Sequence, residues 1–220
     1  MTGTTILFSE MRPDPSWEDR FNAWYHDDHI PVRMVLDGWE GAQRYTSDED
    51  ADYLVVYDIT SPEALKTPGY ERVKTDPSDE TTWMLANVSN FTRFIGQELG
   101  RHGDIDAAIT APFIFTSMFD VPPEGEAEFD QWMVEDHAPL LMKCPDWLGI
   151  RRFELPIAEP VKYTRLAIHY LASKEALASP ERAAARTTEF RDRMTRHDWF
   201  KGRYRLFAAY GDRYRAENYR

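Results

Sequence analysis

Apolar and charged positions along the chain follow one pattern that occurs twice. A set of residues in the first half returns 108 positions later, in the same order and without a slip in spacing. The set is Phe21, Trp24, Asp28, His29, Pro31, Met34, Trp39, Gly41 and Arg44, which returns as Phe129, Trp132, Asp136, His137, Pro139, Met142, Trp147, Gly149 and Arg152. A repeat of fixed period indicates two copies of one structural unit. Residues that the shared fold or chemistry requires are therefore expected in both copies.

Each copy begins with a β-prone run, at 4–10 and 113–119, that ends at a pair of prolines. After the first pair, the apolar residues of 17–30 recur at helical spacing and share one stripe with the repeated aspartate and histidine. The second copy has the same pattern. Pro31 and Pro139 disfavour helical geometry at the preceding residue, which predicts that each histidine lies in the last turn of its helix.

The rest of each copy predicts further strands and a second helix. The strand-like runs are 39–45, 53–59 and 87–94 in the first copy and 147–153, 165–171 and 203–210 in the second. The order strand, helix, strand, strand, helix, strand is the ferredoxin-like βαββαβ arrangement. One face of such a sheet lacks helices, so two sheets can cover each other. We expect an α+β fold in which two tandem ferredoxin-like units form a pseudo-twofold, eight-stranded barrel.

The predicted domains follow from the repeat. A first unit spans 1–97, a glycine- and aspartate-containing linker spans 98–112, and a second unit spans 113–220.

The repeated pairs Asp28-His29 and Asp136-His137 are the candidate catalytic residues. A helix C-terminus favours the protonated imidazole, and an adjacent carboxylate adds to this effect if it lies close. A pKa raised from ~6.5 would leave proton-donor and proton-acceptor forms populated at neutral pH. The alternative is that Asp-His-X-Pro only ends a helix, which a duplication would preserve as well.

The segment from Trp24 to Pro31, with Gly38-Trp39 and Arg44-Tyr45, resembles the EthD-like branch of the dimeric α+β barrel superfamily, in which a helix ends in a His-X-Pro element. The resemblance covers about 4–95 and 113–211. It implies that the two repeated histidines face a pocket between sheet and helices and act as acid or base. Relatives range from cofactor-independent monooxygenases, isomerases and decarboxylases to haem enzymes, so the fold transfers better than the reaction.

Substrate-binding candidates come from the predicted strands and helices. Arg44 and Arg152 are predicted on the strand face opposite their aromatic neighbours, where a guanidinium can bind a carboxylate or enolate oxygen. A surface or interface salt bridge is the equal alternative. The aromatic neighbours are Trp39, Tyr45, Trp147 and Phe153. Tyr57 and His169 occupy equivalent strand positions and could steer a phenolic or carbonyl substrate. The remaining candidates for the lining are Trp24, Tyr25, Trp83 and Trp132.

Composition narrows the class of partner. A formal net charge of −12 and a pI near 5.0 argue against nucleic-acid or anionic-membrane partners. The arginine-rich stretch 182–203 is interleaved with acidic residues and is interpreted as a solvated helix face. Without a membrane-spanning run or a leader, we expect a cytoplasmic protein. Cys144 is the single cysteine, and we expect it to have a buried apolar role. His26 and His29 have the spacing of helical metal ligands, but they have no repeated partner and no nearby cysteine, so no metal site is predicted.

The two copies differ where their pockets are expected. Tyr25, His26 and Arg33 correspond to Met133, Val134 and Leu141. The first pocket is therefore expected to be the more polar one, and catalysis is expected in the first half.

The function expected from these residues is a cofactor-independent enzyme, a lyase or isomerase, that uses a histidine as general acid or base on an aromatic, lactone or polyketide-like small molecule. Two alternatives stay open: a cofactor-free monooxygenase and a non-catalytic protein that binds a hydrophobic ligand. Haem stays open as well, because one histidine can ligate iron. Residues at the edges of the fold can still mediate contact with a second copy, so a homodimer stays an open alternative.

Overall fold

A computed structural model describes residues 3–47 and 49–220 of the chain. The chain divides into two compact units. The first consists of Met1–Gln97 together with Tyr210–Arg220, and the second consists of Glu98–Ala209.

The first unit follows the predicted order of elements. Its strands are β1 (Thr5–Met11), β2 (Trp39–Thr46), β3 (Tyr53–Ile59) and the first part of β4 (Arg93–Gly103). Its helices are α1 (Glu18–Trp24), α2 (Pro31–Met34), α3 (Pro68–Thr75) and α4 (Asp79–Asn87), with 3-10 turns at Pro15–Trp17 and Pro62–Lys66. Strand β3 pairs antiparallel with both β1 and β2, and β1 also pairs antiparallel with β4.

The second unit repeats this order. Its strands are β5 (Phe113–Phe119), β6 (Trp147–Glu159), β7 (Arg165–Leu171) and the first part of β8 (Arg203–Arg215). Its helices are α5 (Ile105–Ala108), α6 (Glu126–Gln131), α7 (Ala138–Leu141), α8 (Pro180–Ala185) and α9 (Glu189–Met194), with 3-10 turns at Pro123–Gly125 and Lys174–Ala178. A further 3-10 turn, Ala216–Asn218, follows β8 and belongs to the first unit. Strand β7 pairs antiparallel with β5 and β6, and β5 pairs with β8.

The hydrogen-bonded order of the strands is β1-β3-β2-β8-β5-β7-β6-β4, a closed antiparallel series. The predicted α+β class with eight antiparallel strands is therefore confirmed, whereas the pseudo-twofold duplication stays a prediction. The predicted linker 98–112 differs from the structure, because β4 continues to Gly103 and α5 follows it. The glycines of this segment indicated a linker. A strand can nevertheless pair through its extended backbone without alternating apolar and polar side chains, so the sequence pattern did not show that β4 continues here.

The helix of the repeat changes its winding in both units. A π-helical turn follows α1 at Tyr25–His29, and another follows α6 at Trp132–His137. In the first unit the π-helical turn ends at His29 and α2 begins at Pro31, so the predicted position of His29 in the last turn is confirmed. In the second unit α7 begins at Ala138, directly after His137, so the same prediction was wrong for His137. Proline is tolerated in the first turn of a helical segment, where its missing N–H has no intrahelical acceptor.

Strands β2 and β6 each contain a β-bulge, between Trp39 and Gly41 and between Trp147 and Gly149. A bulge adds one residue and exchanges the faces of the residues beyond it. Arg44 therefore lies on the same face as Trp39, and the same bulge in β6 places Arg152 on the face of Trp147. The prediction that each arginine lies opposite its tryptophan was wrong, and the bulge is the reason.

Each unit has its own apolar core beneath its helices. The first core centres on residues of α1, β2 and β3, and the second on the equivalent residues of α6, β6 and β7. Cys144 is buried in the second core, as its predicted apolar role requires. Within the described part of the chain, no helix combines the length and the hydropathy needed to cross a bilayer.

Candidate functional site in the second unit

A cavity of about 180 Å³ lies in the second unit, between strands β5, β6 and β7 and the helices that cover them. Aromatic rings form much of its wall, and two histidines and three arginines supply its polar groups. The aromatic lining residues are Phe115, Phe119, Trp132, Trp147 and Tyr204. The polar ones are Ser117, His137, His169, Arg182, Arg186 and Arg191.

His137 enters this cavity from the π-helical turn. Its ring lies 4.5 Å from the Trp132 ring, and its Nδ1 donates to the carbonyl oxygen of Ala185 at 3.2 Å. Because Nδ1 carries the proton of the neutral ring, Nε2 presents a lone pair. Burial lowers the pKa of His137 to about 4; the bond to Ala185 opposes this shift, and the neighbouring arginines reinforce it. The predicted raised pKa was therefore wrong.

His169, on β7, has the opposite tautomer. Trp147 donates its indole N–H to Nδ1 of His169 at 3.2 Å, which leaves the proton on Nε2. The residue is 2% exposed, and burial lowers its pKa well below the usual value. The cavity is thus lined by one imidazole that can accept a proton at Nε2 and another that can donate a hydrogen bond from Nε2.

Three arginines of the stretch predicted to be solvated instead line this cavity. Arg182 and Arg191 are half-buried and Arg186 is exposed. Arg191 hydrogen-bonds the hydroxyl of Tyr204, and Arg182 donates to the carbonyl oxygen of Leu177 at 2.6 Å. Among the described residues, none of the three has a carboxylate partner. The predicted solvated face is thus confirmed only in part: much of the stretch is exposed, but these three arginines line a cavity.

Trp132, which lines the same cavity, has a buried, unpaired indole N–H. In the first unit, the equivalent Trp24 donates to Oγ1 of Thr81 at 2.9 Å. Thr81 is the third residue after the N-cap of α4, and Arg191 holds that position after the N-cap of α9. The hydrogen bond between Trp24 and Thr81 therefore has no equivalent in the second unit, where the indole N–H of Trp132 is unpaired and Arg191 replaces the threonine.

The two repeated aspartates serve the fold. Asp28 accepts hydrogen bonds from the hydroxyls of Ser78 and Thr81, at 2.6 and 3.1 Å, and Asp136 accepts from Thr188 at 2.6 Å. These hydroxyls lie in the first turns of α4 and α9, so each aspartate joins two helices of its unit. Neither carboxylate hydrogen-bonds the imidazole beside it in sequence, and the predicted Asp–His catalytic pair does not form.

His29, in the first unit, is packed rather than accessible. It is 5% exposed, its ring lies 4.2 Å from the Trp24 ring, and it lines none of the three cavities described among residues 3–47 and 49–220. Its Nδ1 is buried without a hydrogen-bond partner, and burial lowers its pKa well below the usual value.

The side chains around His29 explain this packing. Tyr25, Arg33 and Tyr57 stand where the second unit has Met133, Leu141 and His169. All three are buried, and Arg33 donates to the carbonyl oxygen of His29 at 2.5 Å. The larger side chains fill the volume that stays open in the second unit. The cavity that contains a repeated histidine therefore lies in the second unit, whereas catalysis was expected in the first half; the location of catalysis stays a prediction.

The remaining predicted site residues lie elsewhere. Arg44 borders a different cavity, and Arg152 borders a void of about 10 Å³ that is too small for a ligand. Trp83 is half-buried, packs edge-on against Trp17 at 5.2 Å and carries the Arg20 guanidinium 3.8 Å above its ring. The cavity around His137 thus unites only Trp132, His137 and His169 of the predicted set, and sequence reasoning missed its arginines.

Comparison with known proteins identifies the fold. No family model and no curated protein matches the chain. An anthrone oxidase-like protein superposes with a TM-score of 0.73 over 98% of this chain and 94% of its own length, at 14% identity. A candidate monooxygenase from Fusobacterium nucleatum gives 0.57 over 98% and 96%, at 12% identity, and a candidate chlorite dismutase gives 0.58 over 94% and 96%, at 14% identity. The chain has the dimeric α+β barrel fold.

A single histidine can ligate haem iron, so the cavity must be compared with a porphyrin. His137 donates Nδ1–H to a backbone carbonyl, as metal-bound histidines do. The cavity volume of about 180 Å³ is nevertheless below the ~300 Å³ at which pockets for drug-sized ligands begin. The cavity therefore does not fit haem. Within the described residues, no cluster of three potential metal-ligating side chains occurs.

Proposed function

We propose that the protein is an enzyme that removes a proton from a small aromatic substrate in the cavity of the second unit, with His137 as the base. The observation that carries this proposal is the combination of a neutral imidazole with an available Nε2 and an aromatic cavity lined by unpaired cations. A base that is neutral at pH 7 is ready to accept a proton.

The cations compensate for the low basicity of His137. A phenol, an enol or a C–H group beside a carbonyl becomes more acidic when its anion is stabilised by preorganised charges and hydrogen bonds. Arg182, Arg186 and Arg191 supply positive charge, and His169 supplies an N–H donor from Nε2. The substrate anion would in turn favour the protonated form of His137, so proton transfer and anion binding support each other.

The substrate anion has two chemically reasonable fates. In a lyase or isomerase, it is reprotonated, eliminates a group, cyclises or loses carbon dioxide. In a monooxygenase without an organic cofactor, the anion itself reduces dioxygen, one oxygen atom enters the product as a carbonyl and the other leaves as water. The names of the anthrone oxidase-like and monooxygenase structures favour oxygenation. We therefore place oxygenation first and the lyase or isomerase reaction second.

We also infer that the chain is an internal duplication whose second copy retained the reaction cavity. The shared element order, the two π-helical turns and the two bulges support this inference. Substitution of larger side chains around His29 would then have closed the first cavity.

The matched histidines provide the test. With anthrone as probe, we expect oxygen uptake and quinone formation to fall at least 100-fold in His137→Ala, because general base catalysis contributes ~10²–10⁴-fold. His29→Ala should keep turnover within about threefold. An oxygen electrode and product absorbance measure both reactions.

Each other outcome has a definite meaning. Probe conversion without oxygen uptake would favour the lyase or isomerase reaction. Saturable quenching of tryptophan fluorescence without conversion would indicate a binding protein, and full activity in His137→Ala would exclude His137 as the base.

A further inference from the structure

A second cavity, in the first unit, has a buried cation on its wall. Its volume is about 410 Å³, within the ~300–1,000 Å³ range of small-molecule sites. Arg44 lies on this wall and is 3% exposed. Tyr210, Tyr214 and Tyr219 line the same cavity, which we call the tyrosine cleft. None of these residues lines the cavity of His137, so the two cavities are chemically separate sites.

Aromatic rings surround the Arg44 guanidinium. Its Cζ lies 4.4 Å from the ring centroid of Tyr25, 4.8 Å from that of Tyr210 and 5.2 Å from that of Tyr53. Cation–π contacts stabilise a guanidinium that has lost its water. They do not neutralise its charge, which stays available to an anion that enters the cleft.

Arg44 has no anionic partner among the described residues. Its side chain makes one hydrogen bond, from Nη2 to Oδ1 of Asn22 at 2.6 Å. The carboxylate of Glu18 accepts from the hydroxyl of Tyr53 at 2.6 Å and forms no ion pair with Arg44. Buried charges are normally paired, because removing a charge from water is costly. The remaining N–H donors of Arg44 are therefore available to a ligand.

The second unit shows how the chain supplies a counter-charge at the equivalent place. Asp130 replaces Asn22 there, and it pairs with Arg165 at 3.2 Å. Burial lowers the pKa of the neighbouring Arg152, and the charge of Asp130 opposes that shift. Only the void of about 10 Å³ remains beside these residues. In the first unit, the neutral amide of Asn22 stands in place of the carboxylate, and an open cleft lies beside Arg44. This arrangement is expected of a site that binds an anionic ligand.

We infer that the tyrosine cleft binds a planar aromatic monocarboxylate. A guanidinium presents paired N–H donors that match the two oxygens of a carboxylate, and tyrosine rings offer flat faces and edges to an aromatic ring. His26, whose Nδ1 lies 2.9 Å from the Tyr214 hydroxyl, holds one wall in place. Asp212 is exposed on the rim and disfavours ligands with a second negative charge.

Isothermal titration of the full chain with 2-naphthoate tests this inference. We expect a saturable site that is lost in Arg44→Met and weakened at least tenfold in Asn22→Asp, because the new carboxylate competes for the guanidinium. Arg215→Gln removes an exposed cation of β8, the strand that carries Tyr210 and Tyr214. Arg215 does not line the cleft, so the affinity should be unchanged. The uncharged 2-naphthylmethanol should bind at least tenfold more weakly than 2-naphthoate.

The cavity of His137 also contains cations, so Arg191→Gln separates the two sites. Binding that survives Arg191→Gln and is weakened by Asn22→Asp supports the inference, whether or not the His137 cavity is active. If binding is lost in Arg191→Gln but unchanged in Asn22→Asp and Arg44→Met, the ligand occupies only the other cavity and the inference is overturned. The absence of saturable binding to the wild-type chain also overturns it. Circular dichroism checks that each variant is folded.

Discussion

Buried imidazoles make the native state sensitive to acid. Burial lowers the pKa of His29, His137 and His169 in the folded protein, whereas each titrates near ~6.5 in an unfolded chain. Below that pH, the unfolded state binds more protons than the native state does. The free energy of unfolding must therefore decrease as the pH falls.

We expect the free energy of unfolding to be lower at pH 5 than at pH 7. His137, with a native pKa of about 4, accounts for a loss of about 2 kcal/mol over this interval, and the other two histidines add to it. Urea denaturation at both pH values measures the difference. His137→Gln cannot be protonated and should reduce the difference by about 2 kcal/mol. An unchanged difference would contradict the burial of this imidazole.

At the residue scale, the repeat predicted several residues that line a cavity, but it did not predict the contacts that these residues make. Trp132, His137 and His169 were selected from spacing and do line one cavity. The predicted direction of the histidine pKa was wrong, because burial outweighs the effect of the helix C-terminus and neither adjacent carboxylate lies close to its imidazole. The aspartates instead bind hydroxyls about fifty residues away in the chain, a long-range contact that spacing within one helix does not encode.

Single-residue insertions decide which way side chains point in both units. A π-helical turn adds one residue to the helix, and a β-bulge adds one residue to a strand. The π-helical turns place the repeated histidines, and the bulges bring Arg44 and Arg152 to the helix-covered face of their sheets. Both proposed sites therefore depend on two kinds of small irregularity that occur in each unit.

Deleting Glu135, which is exposed in the second π-helical turn, should convert that turn to regular α-helix. His137 would then rotate by about 100° around the helix axis and leave the cavity. We expect activity with the aromatic probe to fall at least 100-fold while the far-ultraviolet circular dichroism is retained. Deletion of Asp27, exposed in the first π-helical turn, serves as the matched control and should lower stability but not turnover. Equal loss of activity in both variants would argue against this role of the second turn.

The order of the elements could be predicted from the sequence, but these irregularities could not be. The spacing of apolar residues is compatible with a regular α-helix and also with a helix that contains one π-helical turn. At a β-bulge the alternation of side chains between the two faces shifts by one residue, and the sequence pattern does not show this shift. The available signal was the glycine that recurs as Gly41 and Gly149, because an isolated glycine inside a strand often marks a bulge. A Cβ atom on Gly41 would lie 2.8 Å from the backbone carbonyl oxygen of Tyr214, which explains why glycine is favoured there.

At the scale of the whole molecule, the first compact unit includes strand residues from a distant part of the chain. Tyr210–Arg220 belongs to the first unit, although it follows the second unit in sequence. Gln43 donates to the carbonyl oxygen of Gly211 at 3.1 Å, and Arg220 donates to the carbonyl oxygens of Leu36 and Trp39. The predicted boundaries 1–97 and 113–220 therefore do not coincide with the compact units.

A fragment of residues 1–97 should not fold by itself. It lacks the residues that pair with β2, and an uncovered strand edge promotes aggregation. We expect poor dispersion of its amide proton resonances and no cooperative unfolding transition. A fragment in which a flexible linker joins 1–97 to 210–220 should recover a cooperative transition. Cooperative unfolding of 1–97 alone would contradict the assignment of Tyr210–Arg220 to this unit.

Strand β8 belongs to both units, and this constrains how a gene of this kind can diversify. A crossover that replaced everything after residue 112 with a foreign second copy would also replace the three tyrosines beside Arg44. Shuffled libraries should therefore place their final junction near residue 209, so that each recombinant inherits the two ligand cavities as intact sets. The same rule applies to natural recombination: an exchange of simple halves would divide the lining of the tyrosine cleft, whereas the lining of the His137 cavity, from Phe115 to Tyr204, would be inherited intact.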